Sequence, residues 1–215
     1  MHLILGNIEH MRTDAIATSA HTDLKPSPGI SESIFKAANT KLLKLHCAKA
    51  GRCRIGSVVV TPSCGLPSKY IIHVVGPDWY SGQKSEQILF AECYAKALHK
   101  AYSYQCKSVA LPLMFSGEYH VPRAQAIELV CRVVAAFEKE HPDMEIYLVL
   151  YKQSIYDLAK KIYTKFVASS GRKSRTPAVV IYHHKKSPRQ AQAERGDCYF
   201  TAFPEEQTFP PWCAS

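Results

Sequence analysis

The sequence contains no apolar run long enough to cross a bilayer. Its first ten residues, MHLILGNIEH, lack the basic start and long apolar stretch of a secretory signal. These absences predict a cytosolic protein with no membrane partner. There is also no CxxC pair. The eight cysteines (Cys47, Cys53, Cys64, Cys93, Cys106, Cys131, Cys198, Cys213) are scattered, several inside apolar patterns, which predicts reduced and mostly buried thiols. His46, Cys47, Cys53 and Cys64 come nearest to a zinc set, but their spacing matches no common ligand arrangement, so no metal is expected. Acidic residues are the scarcer charge, 18 against 27 basic, and the net charge of +9 favours polyanionic partners such as nucleic acid or diphosphate ligands. Part of the excess is local, because Arg172, Lys173, Arg175, Lys185, Lys186, Arg189 and Arg195 all lie beyond residue 170. A solvated tail accounts for that cluster without any partner.

What is present is the composition of a globular domain with a sizeable core: 215 residues, 47% hydrophobic and 21% charged. Leu3 to Leu5, Asp14 to Ala20, Ser57 to Thr61, Tyr70 to Val75, Ser108 to Leu113 and Glu145 to Tyr151 read as strands. Most are too apolar for a sheet with one wet face. Helical spacing fills Ile30 to Ala50, Ser85 to Tyr104, Arg123 to Glu140 and Ser154 to Val167. The alternation predicts an α/β fold, a three-layer α/β/α sandwich whose mixed, mostly parallel sheet is flanked by helices. Ser57 to Val75 departs from it, two strands joined by a turn region without a helix, and predicts a hairpin-like excursion. Residues 1–169 form one domain on this reading. Residues 170–215, basic and proline-containing, are a tail, a linker or the start of a further region.

Two segments carry the chemistry. In Ser108 to Ala126 an apolar strand runs into Ser116-Gly117-Glu118-Tyr119, and a helical pattern follows Pro122. In Asp14 to Ala38 a buried strand runs through the turn-rich TDLKPSPG into a helix. A strand that empties through such a turn into a helix offers unpaired N–H groups at the positive end of the helix dipole, an arrangement suited to phosphate. Two of them in one open sheet predict a cleft at the carboxyl ends of the strands.

With these residues in hand, the chain resembles the macro domain family, the ADP-ribose-binding fold, over about Leu3 to Val167. The resemblance rests on Gly6-Asn7-Ile8, Asp14-Ala15-Ile16, Gly29-Ile30 and Phe35-Lys36-Ala37-Ala38. It continues through GLPSKYIIHVVGPDW from Gly65 to Trp79, Cys93-Tyr94 with Ala97-Leu98, and ALPLMFSGEYHVP. It implies that Asn7, with Ile8 beside it, stands where an aspartate meets the adenine; the amide can still accept and donate. It further implies that Gly29 and Ile30 lie along the diphosphate, and that Ser116, Gly117, Glu118 and Tyr119 form the second diphosphate loop, Tyr119 lining the distal ribose. Backbone N–H groups alone can wrap a diphosphate, so no cofactor or metal is called for.

The chain also departs from the family pattern. His21 replaces the asparagine of members that hydrolyse ADP-ribosyl esters, Pro26, Ser27 and Pro28 replace glycines, and Ser31 replaces the aspartate of one subgroup. The prolines remove two N–H donors from the loop. Ser31 cannot act as the base a carboxylate provides, although its hydroxyl is placed to cap the helix or touch a phosphate. His21 either substitutes for the asparagine, as ribose contact or catalytic base, or fills the loop. Glu118 and His120 are alternative acid-base groups or solvent-facing loop residues, and His73, in an apolar strand, reads as a core histidine. The resulting expectation is a module that binds ADP-ribose or ADP-ribosylated protein with little turnover. A hydrolase of ADP-ribosyl esters or O-acetyl-ADP-ribose is the alternative. A third possibility is an adaptor holding RNA or poly(ADP-ribose) on its basic surface.

Overall fold

Six apolar strands, each with a hydrophobic residue toward both faces, assemble into one sheet buried between two layers of helix. The structure is a computed structural model that describes residues 1–77, 83–116 and 121–169. The strands are β1 (His2–Leu5), β2 (Ala15–Ala20), β3 (Val58–Pro62), β4 (Tyr70–Val75), β5 (Ser108–Pro112) and β6 (Glu145–Leu150). Their order is β1-β6-β5-β2-β4-β3. All neighbours are parallel except β3, which pairs antiparallel with β4 from Val58 opposite Val74 to Pro62 opposite Tyr70. The hairpin-like excursion is therefore the edge of the sheet, and β3 is mostly half-buried, unlike the others.

Alternate residues of the strands feed two cores. One contains Ile4, Ile16, Ile71 and Val149 under α1 (Ile30–Ala37) and α2 (Thr40–Ala50). The other contains Leu3, Ile72, Leu111 and Leu148 under α3 (Lys84–Ser103), α4 (Arg123–Glu140) and α5 (Gln153–Ser169). The three-layer sandwich with a mixed, mostly parallel sheet is as the alternation predicts. The expected single helix over Ile30 to Ala50 is instead two. Ala38 turns extended, the Asn39 side chain accepts the Leu42 N–H and starts α2, and the Asn39 N–H donates to the Cys64 carbonyl at 2.7 Å. A capping residue inside an unbroken apolar rhythm marks that break. Residues 170–215, read as a tail or linker, lie outside the described residues.

Opposite the strands' carboxyl ends, one side chain ties three strands together. Asp14 Oδ2 accepts the Lys107 N–H at 2.8 Å and the Ser108 N–H at 3.1 Å, and Oδ1 pairs with the Lys69 ammonium at 2.8 Å. Its carbonyl accepts the Lys69 and Tyr70 N–H groups. The entries to β2, β4 and β5 are thus held by one residue, which leaves their far ends to be shaped by loops.

Candidate functional site

At one end of the carboxyl edge, β1 runs out at Leu5 beside Leu150 of β6, and the Gly6 N–H donates to the Leu150 carbonyl at 2.9 Å. Asn7 follows, exposed, its side chain not engaged in capping the short 3-10 turn Ile8–His10. Ile8, expected beside the ligand, sends its side chain into the core and is 5% exposed, so only its backbone is available there. On the neighbouring strand the residue after Leu150 is Tyr151, 59% exposed. Its ring has the Lys152 ammonium 5.3 Å from its centroid. Tyr151 and Asn7 each follow the paired ends of β6 and β1, so an exposed ring and an exposed amide stand at the same end of that strand pair, groups that can stack on and hydrogen-bond to a planar base. From the sequence β6 is expected to end at Tyr151, whereas the strand ends at Leu150.

In the middle of the edge, β5 ends at Pro112 and the chain stays buried through Leu113, Met114 and Phe115. Phe115 has φ +67°, a left-handed conformation unfavourable for a bulky residue. Its ring packs 4.9 Å from Phe90 and 6.0 Å from Tyr94 and lies against Gly76, just past β4. The Tyr94 hydroxyl donates toward the Pro112 and Met114 carbonyls at 3.4 and 3.3 Å, and burial pushes that phenol's pKa far up, so it stays a donor. The half-buried Ser116 donates its hydroxyl to the Leu113 carbonyl at 3.0 Å. The Val121 N–H returns to the Phe115 carbonyl at 3.0 Å, so both ends of the second loop are pinned. Gly117, Glu118, Tyr119 and His120 lie outside the described residues.

Next along the edge, His21 leaves the end of β2 half-buried, and its carbonyl accepts the Leu24 N–H at 3.0 Å. Leu24, at φ +53°, inserts into the core. Lys25 donates its N–H to the Asp23 carboxylate, and its ammonium meets the same group at 3.1 Å. Pro26 and Pro28 are exposed while Ser27 between them is buried, so the prolines border an open depression of about 590 Å³ without filling it. His21, Thr22, Lys25 and Arg52 also line it.

The first loop has fewer donors than its length suggests. Pro26 and Pro28 have none, and the Ser27 N–H points to Ser31 Oγ at 3.5 Å. Ser31 is 3% exposed and sits in the first turn, not at the cap. Gly29 occupies the cap position of α1 with φ +93° and ψ −128°, a conformation that glycine alone adopts without strain. Of the two roles open to Ser31, capping is therefore ruled out, and its hydroxyl braces the loop. The N–H groups of Gly29, Ile30 and Ser31 stand at the cap and first turn of α1, its positive end, where no intrahelical acceptor exists.

His73 is 1% exposed, and its Nε2 lies 3.0 Å from the Thr61 hydroxyl and 4.0 Å from Cys47 Sγ. Burial pulls its pKa down to about 4, so the imidazole stays neutral, a satisfied core group. Burial likewise pushes the Cys47 and Cys64 thiols up to about 11, which keeps them protonated and unreactive. Among the described residues no three His, Cys, Asp or Glu side chains gather closely enough to hold a metal ion. No described helix is long and apolar enough to cross a membrane.

A two-loop edge above a β1-β6-β5-β2-β4-β3 sheet defines a class, and comparisons with known proteins agree with it. The family model for the Macro domain matches residues 17–130. A macro domain-containing protein of Methanosarcina mazei is 36% identical over 163 residues, covering 75% of this chain and 87% of that one. An O-acetyl-ADP-ribose deacetylase of Salmonella newport is 34% identical over 169 residues, covering 77% and 94%. The chain belongs to the macro domain family. Among solved structures it is similar to the Oceanobacillus iheyensis macrodomain with ADP, at TM-score 0.72 and 26% identity over 78% of this chain and 92% of that one. It is also similar to the Trypanosoma brucei macrodomain in complex with ADP-ribose, at TM-score 0.66 and 25% identity over 77% and 68%.

Proposed function

We propose that the domain binds ADP-ribose, free or attached to protein, along the carboxyl edge of the sheet, with little turnover. The base lies against Asn7 and Tyr151, the diphosphate between the start of α1 and the loop from Ser116 to Tyr119, and the distal ribose beside His21. The observation that carries this reading is the open first loop. Its two prolines border the depression, and Gly29, Ile30 and Ser31 form the cap and first turn of α1, where N–H groups have no intrahelical acceptor. Relatives and structural neighbours named for ADP-ribose chemistry support the ligand class. Slow turnover is expected because Ser31 supplies no carboxylate base, its buried hydroxyl oxygen instead facing the Ser27 N–H at 3.5 Å.

Calorimetry with ADP-ribose is expected to show one-to-one binding. Gly29→Val, which forces a β-branched residue to φ +93° and shifts the first donors of α1, should weaken it at least about tenfold. No heat of binding at millimolar ligand would overturn the assignment.

The relationship to a deacetylase supports a second reading, hydrolysis of ADP-ribosyl esters or O-acetyl-ADP-ribose with His21 polarising the attacking water. Release of ADP-ribose from a modified acceptor that disappears in His21→Ala separates the two. The RNA or poly(ADP-ribose) reading draws on the basic cluster from Arg172 onward, outside the described residues.

A further inference from the structure

The order of the strands orders the ligand. If the base lies over β1 and β6 and the diphosphate over β5 and β2, the distal ribose and whatever it is joined to emerge over β2, β4 and β3. At that end stands the depression of His21, Thr22, Lys25 and Arg52. Arg52 reaches it from the α2–β3 connection, 30 residues from Thr22 in sequence, because the Cys53 N–H donates to the Thr22 carbonyl at 2.7 Å and clips that connection to the first loop. Arg52 is exposed, and among the described residues no carboxylate pairs with it. Lys25, in contrast, is already neutralised by Asp23 at 3.1 Å. The surroundings are also basic, with Lys49 in the last turn of α2 and Arg54 two residues after Arg52, both exposed.

We propose that Arg52 is a specificity-determining residue that reads carboxylates on the polypeptide flanking an ADP-ribosylated residue, so that the module prefers acceptors in acidic sequence. The proposal rests on the ADP-ribose reading above and assigns its acceptor end. A guanidinium presents a planar fork that pairs with a carboxylate through two parallel hydrogen bonds. Placed at the mouth of the depression, it meets side chains one or two residues from the modified one. Lys25 shares its charge with Asp23, so Arg52 is the cation lining the depression that has no carboxylate partner among the described residues. The pair is exposed, so its effect is modest and falls with added salt.

The test uses the full chain and three probes: free ADP-ribose and two mono-ADP-ribosylated peptides of equal length, one with glutamates on both sides of the modified residue and one with glutamines there. At low salt the glutamate peptide is expected to bind about fivefold more tightly than the glutamine peptide. The ratio should fall toward one in Arg52→Gln and largely persist in Arg52→Lys, which keeps the charge. Equal affinities in the unaltered protein, or a preference that survives Arg52→Gln, overturn the proposal while binding of free ADP-ribose leaves the parent reading standing. Absence of binding to free ADP-ribose overturns both.

Discussion

Gly76→Ala is expected to destabilise the domain by about 3 kcal/mol, near the upper end of what overpacking a core usually costs. A Cβ at Gly76 would overlap Phe115 Cε1 and lie within 2.8 Å of two further ring atoms. The ring cannot swing away cheaply, because Phe90 and Tyr94 close on its other sides and the residue is 2% exposed. For a chain of this size the loss corresponds to a fall in melting temperature of about 6–12 °C. Denaturant titration checks it, with an unchanged slope showing that the effect is on stability and not on the denatured ensemble. Adding Phe115→Ala should recover part of the loss, since the cavity made by the second change accommodates the methyl of the first. Additive losses in the double variant would show that the two residues do not meet. Phe115 directly precedes Ser116, so Gly76→Ala should also weaken the ADP-ribose binding proposed above.

Asp14→Ala should cost about 2–3 kcal/mol, the consequence of leaving two strand-entry N–H groups without their charged acceptor. The backbone bonds from Lys107 and Ser108 account for most of it. The Lys69 ion pair contributes little, because its ammonium end is 72% exposed. The same residue sets an acid limb. Partial burial pushes the Asp14 carboxyl upward, but the Lys69 side chain, the Lys107 N–H and the Ser108 hydroxyl outweigh it and hold the carboxyl below its ordinary value. With the folded pKa depressed, the stabilisation is fully present above the unfolded value of about 3.9 and is lost as pH falls through the folded one. Unfolding midpoints measured from pH 7 down past pH 3 should therefore decline in the unaltered protein. In Asp14→Asn the curve should start lower and lose that component of the decline. Parallel curves for the two proteins would assign the acid limb to other carboxylates.

Most of the fold was legible because it is written in local periodicity. The six strands were placed to within a residue or two, and the hairpin over Ser57 to Val75 emerged as the antiparallel β3–β4 edge. The misread helix shows where periodicity fails. Nothing in the apolar rhythm of Ile30 to Ala50 requires a break, but the Asn39 cap and the Cys64 carbonyl supply one. The candidate site was half legible. Asn7, His21 and Gly29 lie at the carboxyl edge as expected, whereas Ile8 and Ser31 turn inward, because an aliphatic chain gains more from the core than from a rim and the Ser31 hydroxyl satisfies a buried N–H.

The sequence by itself determined the class of this protein: alternating apolar strands and helices, with the strings around Gly65 to Trp79 and Ala110 to Pro122, are local features that survive without coordinates. Only the tertiary structure decided what surrounds the cleft. It set Phe115 on Gly76, the ends of β1 and β6 at Leu5 and Leu150 side by side, and Arg52 at the mouth of the first loop. Each of those meetings joins residues more than 20 positions apart, and such neighbours are chosen by strand order and by single backbone hydrogen bonds, not by any pattern within a few residues of either partner.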